Sequence, residues 1–273
     1  MEETAINNIE IYNVRMDKSI EDKLWFLGRP EIKDVDVFVD FGCANGNMLR
    51  HMYYQDPSKV YIGYDNNTEM LSIAREYCKN TGIKFIYNFE NIREYINREH
   101  PGKKVCLILS SVLHEVYSYT PAGAGIDEFW KNIKEDLNPD YIVIRDMTWG
   151  YYDKKCVYYD EGLVKMIKKV VELANKDQVK DFEKVIGRKL IDSLKDVTHF
   201  LLKYKYTENW EREVQENYFS YETINIIPEL YNKYKITYDK FYCLPYLYEQ
   251  FKKDFGIDFK GATHYNLLLK KKL

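Results

Sequence analysis

An apolar run that ends in an acid and then breaks into glycine, at residues 35–46, constrains this chain more than any other stretch. Val35, Val37, Phe38 and Val39 are β-branched or aromatic and leave neither face polar, which predicts a strand buried on both sides, as in a mostly parallel sheet. Gly42 and Gly46 bracket a tight turn just after Asp40, and Met48, Leu49 and Met52 follow at helical spacing. The segment therefore reads strand, glycine loop, helix. A loop without side-chain bulk lets a ligand approach the backbone, and the helix start adds unpaired N–H groups and the positive end of its dipole. An α/β domain with a cofactor at the strand end is the expectation.

Two cofactor classes use such a loop. The dinucleotide fingerprint G-x-G-x-x-G needs its third glycine for close packing of helix on strand. Counted from Gly42, the middle position is Ala44 and the third is Asn47, so an NAD-dependent oxidoreductase is a poor match. The series Asp40, Gly42, Cys43, Ala44, Gly46 instead resembles the first motif of class I S-adenosylmethionine-dependent methyltransferases, an acid followed by three alternating glycines, with Ala44 at the middle one. The resemblance implies a Rossmann-like, seven-stranded, mostly parallel sheet with helices on both faces, and S-adenosylmethionine as cofactor. An ordinary glycine turn in another α/β protein is the plainer alternative.

The rest of the chain bounds the function class. At 273 residues, with 45% hydrophobic and 30% charged, it is a globular protein with room for one large α/β domain and an insertion. A formal net charge of −3 disfavours extended duplex DNA, which draws a lysine and arginine excess, but leaves a specific RNA open. The 26 tyrosines read as genome composition rather than a base-stacking surface. Neither a signal peptide nor a membrane span of ~18 apolar residues is visible, so a cytoplasmic protein is expected. Five scattered cysteines without a C-x-x-C pair predict neither a disulfide frame nor a metal site.

Taken in order, residues 1–33 read as a helical cover: Ser19 caps a helix with Ile20, Leu24 and Trp25 inward, ended by Gly28 and Pro30. The resemblance places Met16 and Lys18 near the cofactor's methionine end. A second strand at residues 60–64 ends in Asp65, about 20 residues past the loop, where a carboxylate can accept both ribose hydroxyls or else cap a helix. A helix from Asn66 then turns Met70, Leu71, Ala74 and Tyr77 inward, and the family often sets an apolar residue such as Met70 against the adenine. A third strand covers residues 83–87. The family's adenine-reading aspartate falls on Phe89, which passes that duty to Glu90 or Asn91.

The fourth strand, residues 105–109, leads into Ser110-Ser111-Val112-Leu113-His114-Glu115, which resembles the family's fourth motif beneath the transferable methyl group. It lacks the Asn/Asp-Pro-Pro-aromatic wording of enzymes that methylate base amines. That places it closer to enzymes acting on small molecules or on oxygen and carbon centres. His114 is a candidate general base or a packed helix residue. Phe129, Trp130, Ile133 and Leu137 mark a helix stopped by Asn138-Pro139. The fifth strand, residues 141–144, delivers Arg145 and Asp146 to the ligand edge: Asp146 to take a proton or orient a nucleophile, Arg145 to bind a carboxylate or phosphate, or the two to pair with each other.

Residues 148–220 leave the family pattern and read as an insertion between the fifth and sixth strands. Two amphipathic helices run through Leu163–Ala174 and Val179–Leu190, residues 198–206 read as helix or strand, and Trp210, Glu213 and Tyr218 are expected on a lid facing the acceptor. The pattern returns at 221–273, with a helix at 221–234, a sixth strand at 235–243, a helix at 246–255, and a last strand at 263–271 inserted antiparallel between the fifth and sixth. The domains are thus 1–33, a core of 34–147 with 221–273, and the insertion. The reading is a methyltransferase with an unidentified acceptor, a small molecule favoured over a structured RNA or nucleotide. A non-catalytic adenosylmethionine-binding protein is the alternative, and a homodimer is open.

Overall fold

The computed structural model describes residues 19–121, 124–150, 161–219, 230 and 232–272. Its elements are α1 (Ile20–Lys23), β1 (Val37–Phe41), α2 (Asn47–Gln55), β2 (Val60–Tyr64), α3 (Thr68–Tyr77), β3 (Lys84–Ile86), α4 (Asn91–Glu99), β4 (Val105–Ser110), α5 (Leu113–Tyr119), α6 (Ala124–Lys131), β5 (Tyr141–Met147), α7 (Glu161–Leu173), α8 (Lys176–Ile186), α9 (Leu194–Lys203), α10 (Trp210–Glu213), β6 (Tyr234–Tyr242), α11 (Pro245–Phe255) and β7 (His264–Lys271).

The seven strands lie in the order β3-β2-β1-β4-β5-β7-β6. β1 pairs parallel with β2 and β4, β2 with β3, and β4 with β5, so Val37 stands opposite both Val60 and Val105. The last strand reverses. Lys271 N donates to Asp140 O and Thr148 N to Thr263 O, which sets the end of β7 against the start of β5. Lys272 and Thr263 meet Lys233 and Tyr242 in the same sense, so β7 is antiparallel to both neighbours, as expected. β5 is buried at all seven positions, which follows from its continuous apolar run Tyr141–Ile144.

The chain forms two compact units. One runs from the first described residue to Asp146 and takes in β6 up to Asp239 and β7 from Asn266. Its core gathers Phe26, Phe38, Leu49, Met52, Leu71 and Ile108. The other runs from Met147 to Phe219 among described residues and takes in Lys240–Tyr265. Its core gathers Ile167, Val170, Phe182, Phe200, Phe251 and Phe259.

Several sequence expectations shift. Residues 198–206 are helical at first, as α9, because Val197, Phe200, Leu201 and Leu202 all bury. Tyr77 faces outward, 44% exposed: its hydroxyl donates to Asn47 Oδ1 and the Arg50 guanidinium lies 4.2 Å over its ring, while Cys78 takes the inward place. Ser19 holds the N-cap position of α1 without a side-chain capping bond, and that helix closes after one turn at Lys23. Tyr234, expected at a helix end, opens β6, and its hydroxyl donates to Pro139 O. Most of the 221–234 helix lies outside the described residues. α11, placed with the core by sequence, buries Leu247, Phe251 and Phe255 among the inserted helices. Among the described residues no helix is long and apolar enough to cross a membrane.

Candidate functional site

The sheet order reverses direction between β1 and β4, the place where open α/β sheets bind ligands beyond their strand ends. The glycine loop lies there. Gly42 and Cys43 donate their N–H groups to Tyr64 O at 2.8 and 2.9 Å, which ties the loop to the end of β2. Gly42, Ala44 and Gly46 all take left-handed φ, at 76°, 45° and 74°. A Cβ on Gly42 would stand 2.8 Å from Val112 Cγ2, and one on Gly46 2.8 Å from Phe85 Cζ, so conformation and space both demand glycine. Ala44 tolerates its left-handed turn, a strain of ~1–2 kcal/mol, because its N–H is held by Asp65 Oδ2 at 2.8 Å.

Asp65 thus clamps the loop. Its second oxygen accepts from Asn67 N at 2.9 Å, while capping of α3 falls to Asn67 Oδ1, which accepts from Glu69 and Met70.

Below the loop, Ile20, Lys23, Asp40, Asn45, Met48 and Ser110 line a narrow cleft of about 20 Å³. Asp40 is 3% exposed, and burial above all pushes its carboxyl up to about 8, with the Lys23 ammonium pulling it down and the Asp65 charge pushing it up. Burial, and then the Asp40 and Asp65 charges, likewise raise the Cys43 thiol. The Ser110 hydroxyl oxygen is buried and has no hydrogen-bond partner among the described residues. An orphaned buried hydroxyl at the wall of a cleft is a group arranged for something that enters it. Lys23 was not foreseen. The apolar period of its segment, Ile20, Leu24 and Trp25, leaves a lysine between them reading as a solvent-facing position, and the expected Met16 and Lys18 lie outside the described residues.

A second unforeseen feature sits at the ends of β1 and β2. The rings of Phe41, Tyr64 and Phe89 pack mutually with centroids 4.7–5.3 Å apart, and Phe129 closes on Phe41 at 5.5 Å. Phe89 is therefore an aromatic wall, while Glu90, Asn91 and Asn66 are exposed and Met70 is buried at 3%.

At β4 and β5 the candidate chemical groups separate into two pairs. Arg145 and Asp146 do not pair with each other. Arg145, 2% exposed, donates from Nη1 to Ser111 Oγ at 2.6 Å and from Nε to the Asp22 carboxylate on α1, and its carbonyl accepts from Ser111 N. Asp146, fully buried, accepts the His114 N–H on Oδ2 at 2.9 Å and faces His114 Nδ1 with Oδ1 at 2.8 Å. A carboxylate at Nδ1 keeps a proton there, so whenever the ring is neutral its lone pair lies at Nε2. That is the orientation a proton-accepting imidazole needs.

Trp210, Glu213 and Tyr218 belong to the other unit and knit its interior. Trp210 Nε1 donates to Asp181 Oδ2 at 3.1 Å, and the Tyr218 hydroxyl donates to the Glu213 carboxylate. The Lys203 ammonium donates to the carbonyls of Glu213 and Glu216 and lies 4.5 Å over the Tyr218 ring. Burial pulls Lys203 down to about 7 and pushes Glu213 up. Among the described residues no cluster of His, Cys, Asp and Glu is placed to hold a metal ion.

No family model and no curated protein sequence matches the chain. Solved structures do. The methyltransferase domain of bacterial CtHen1-C is 11% identical with a TM-score of 0.49 over 94% of this chain and 96% of its own. A SAM-dependent methyltransferase from Anabaena variabilis is 11% identical at 0.49 over 100% and 98%. The plantazolicin methyltransferase BamL, solved with a triazolic substrate analog and SAH, is 11% identical at 0.49 over 96% and 88%. Five parallel strands with the switch between β1 and β4, and an antiparallel β7 between β5 and β6, give this chain the class I methyltransferase fold.

Proposed function

We propose that the chain is a methyltransferase that uses S-adenosylmethionine. The observation that carries this is the cleft at the switch point, where a loop whose Gly42 and Gly46 admit no Cβ, the carboxylate that clamps it and a partnerless buried hydroxyl converge. Those residues fit the cofactor. Asp65 would take the ribose hydroxyls, the Phe41, Tyr64 and Phe89 rings the adenine, and Lys23 with Asp40 and Ser110 the charged methionine end. Beside that aromatic wall, Asn66 is proposed as a further cofactor contact, and Met70 with Glu90 or Asn91 as contacts of the adenine. The bound sulfonium supplies an already activated methyl group, so the protein has mainly to align an acceptor and remove its proton.

His114 is the proposed base. Held at Nδ1 by Asp146, it presents Nε2 to an acceptor proton, and the Asp146 carboxylate stabilises the imidazolium that results. Arg145, tied to Asp22 and Ser111, holds α1 and the turn after β4 in place beside the base. The inserted helices, which leave the sheet one residue after Asp146, are proposed to select the acceptor, a small molecule ahead of a structured RNA. Calorimetry with S-adenosylmethionine and with NAD tests the cofactor: saturable binding of the first is expected, and tighter binding of NAD would overturn the reading.

Asp65→Asn keeps one acceptor oxygen and removes the charge. Its expected effect is a loss of ~1.5–3 kcal/mol in cofactor affinity, the scale of charge-assisted hydrogen bonds, with far-ultraviolet circular dichroism unchanged. Unaltered affinity with a lower Tm would make Asp65 a loop clamp alone.

A further inference from the structure

We propose that the unit holding the inserted helices carries a second ligand site, a groove between α7 and the turn after α11 that binds a free aliphatic carboxylate. The groove holds about 340 Å³. Leu163 and Met166, one turn apart on α7, are only half-buried, and with the buried Leu194 and Ile257 they form an apolar floor. Ile167 and Val170 carry that helix's core contact with Leu163 and Met166 packed beside them, and the exposed half of that pair is what the groove offers.

The rim is positive. Lys165 and Lys169 stand four residues apart on α7 and Lys260 lines the groove from the turn after α11, all three exposed. Like charges at that helical spacing repel each other, a cost that an anion beside them removes. Lys169 is fixed over the groove by its bond to Gly256 O at 3.0 Å, in the left-handed turn that ends α11. The single acid of the lining, Asp258, is engaged by the Tyr248 hydroxyl. Three ammonium groups against one carboxylate, on a chain of net charge −3, make a local field opposite in sign to that of the whole protein.

An apolar floor under a cationic rim fits an amphiphilic anion. At about 340 Å³ the groove has room for a single alkyl chain. The concave shape also disfavours a bilayer, which is met by a protruding apolar face rather than a groove. A medium-chain carboxylate satisfies size, shape and charge together. The site is independent of methyl transfer and of the cofactor assignment.

Calorimetric titration of the whole chain with decanoate, below the concentration at which it forms micelles, tests the proposal. Saturable binding is expected, at least tenfold weaker in the Lys165→Glu, Lys260→Glu double variant and in Met166→Asp. Decanol should bind more weakly and decylammonium not at all. The double variant alters only exposed side chains, so it keeps the test intact if Met166→Asp does not fold. Equal affinity in the double variant, equal binding of decylammonium, or binding confined to anionic phospholipid vesicles would each overturn it.

Discussion

Replacing His114 with alanine is expected to lower kcat by ~10²–10⁴-fold for an acceptor that must lose a proton, while the affinity for S-adenosylmethionine stays as it was. The acceptor itself comes from screening labelled methyl donor against small-molecule, tRNA and protein pools. Asp146→Asn should act in the same direction. Its amide can place a donor where Oδ1 now faces Nδ1 at 2.8 Å, which would move the imidazole proton to Nε2 and remove the lone pair aimed at the acceptor. Because Asp146 Oδ2 also accepts the His114 N–H, the substitution costs some stability as well. The pH dependence of kcat separates the two effects: a base leaves an acidic limb that vanishes in the His114 variant. A preserved limb and near-normal turnover, alongside a lowered Tm, would reduce the pair to a packing element.

What the sequence made legible follows from how local each signal is. The glycine loop is continuous in sequence, so residue type, spacing and the following helix spell it out together, and Asp65 lies at a fixed distance along one βαβ unit. The His114 and Asp146 pairing joins residues 32 apart, and only strand order brings β4 and β5 side by side. The aromatic cluster draws one ring from each of four segments, none of which looks unusual alone. Tyr77 shows a different failure. Helical periodicity put it inward, but an aromatic ring with a hydroxyl is also content over a guanidinium, and Arg50 one helix away offers that alternative. For α11 the apolar face was plain, while its partner, the set of inserted helices, has no local sign.

Asp40→Asn should make the cofactor-free protein more stable at pH 8 and change it little at pH 4. The Asp40 carboxyl is raised from 3.8 to about 8 in the folded chain, chiefly by burial. Between those values the unfolded chain gives up the proton that the folded one keeps, so stability falls as pH rises through the window and levels off above it. The gap bounds the effect at on the order of 5 kcal/mol, and water entering the cleft reduces the expected gain to ~2–3 kcal/mol. Urea denaturation of both forms at several pH values reads it directly. The wild type should lose stability between pH 4 and 8 with a slope that the variant lacks; parallel curves would mean that Asp40 is already ionised in the fold. Cofactor binding reverses the logic. A cationic methionine end beside Asp40 favours the carboxylate, so at pH 7 binding should release a proton, seen as a dependence of the calorimetric heat on the buffer's ionisation enthalpy. In Asp40→Asn that dependence should disappear and the affinity should fall, even though the protein is more stable.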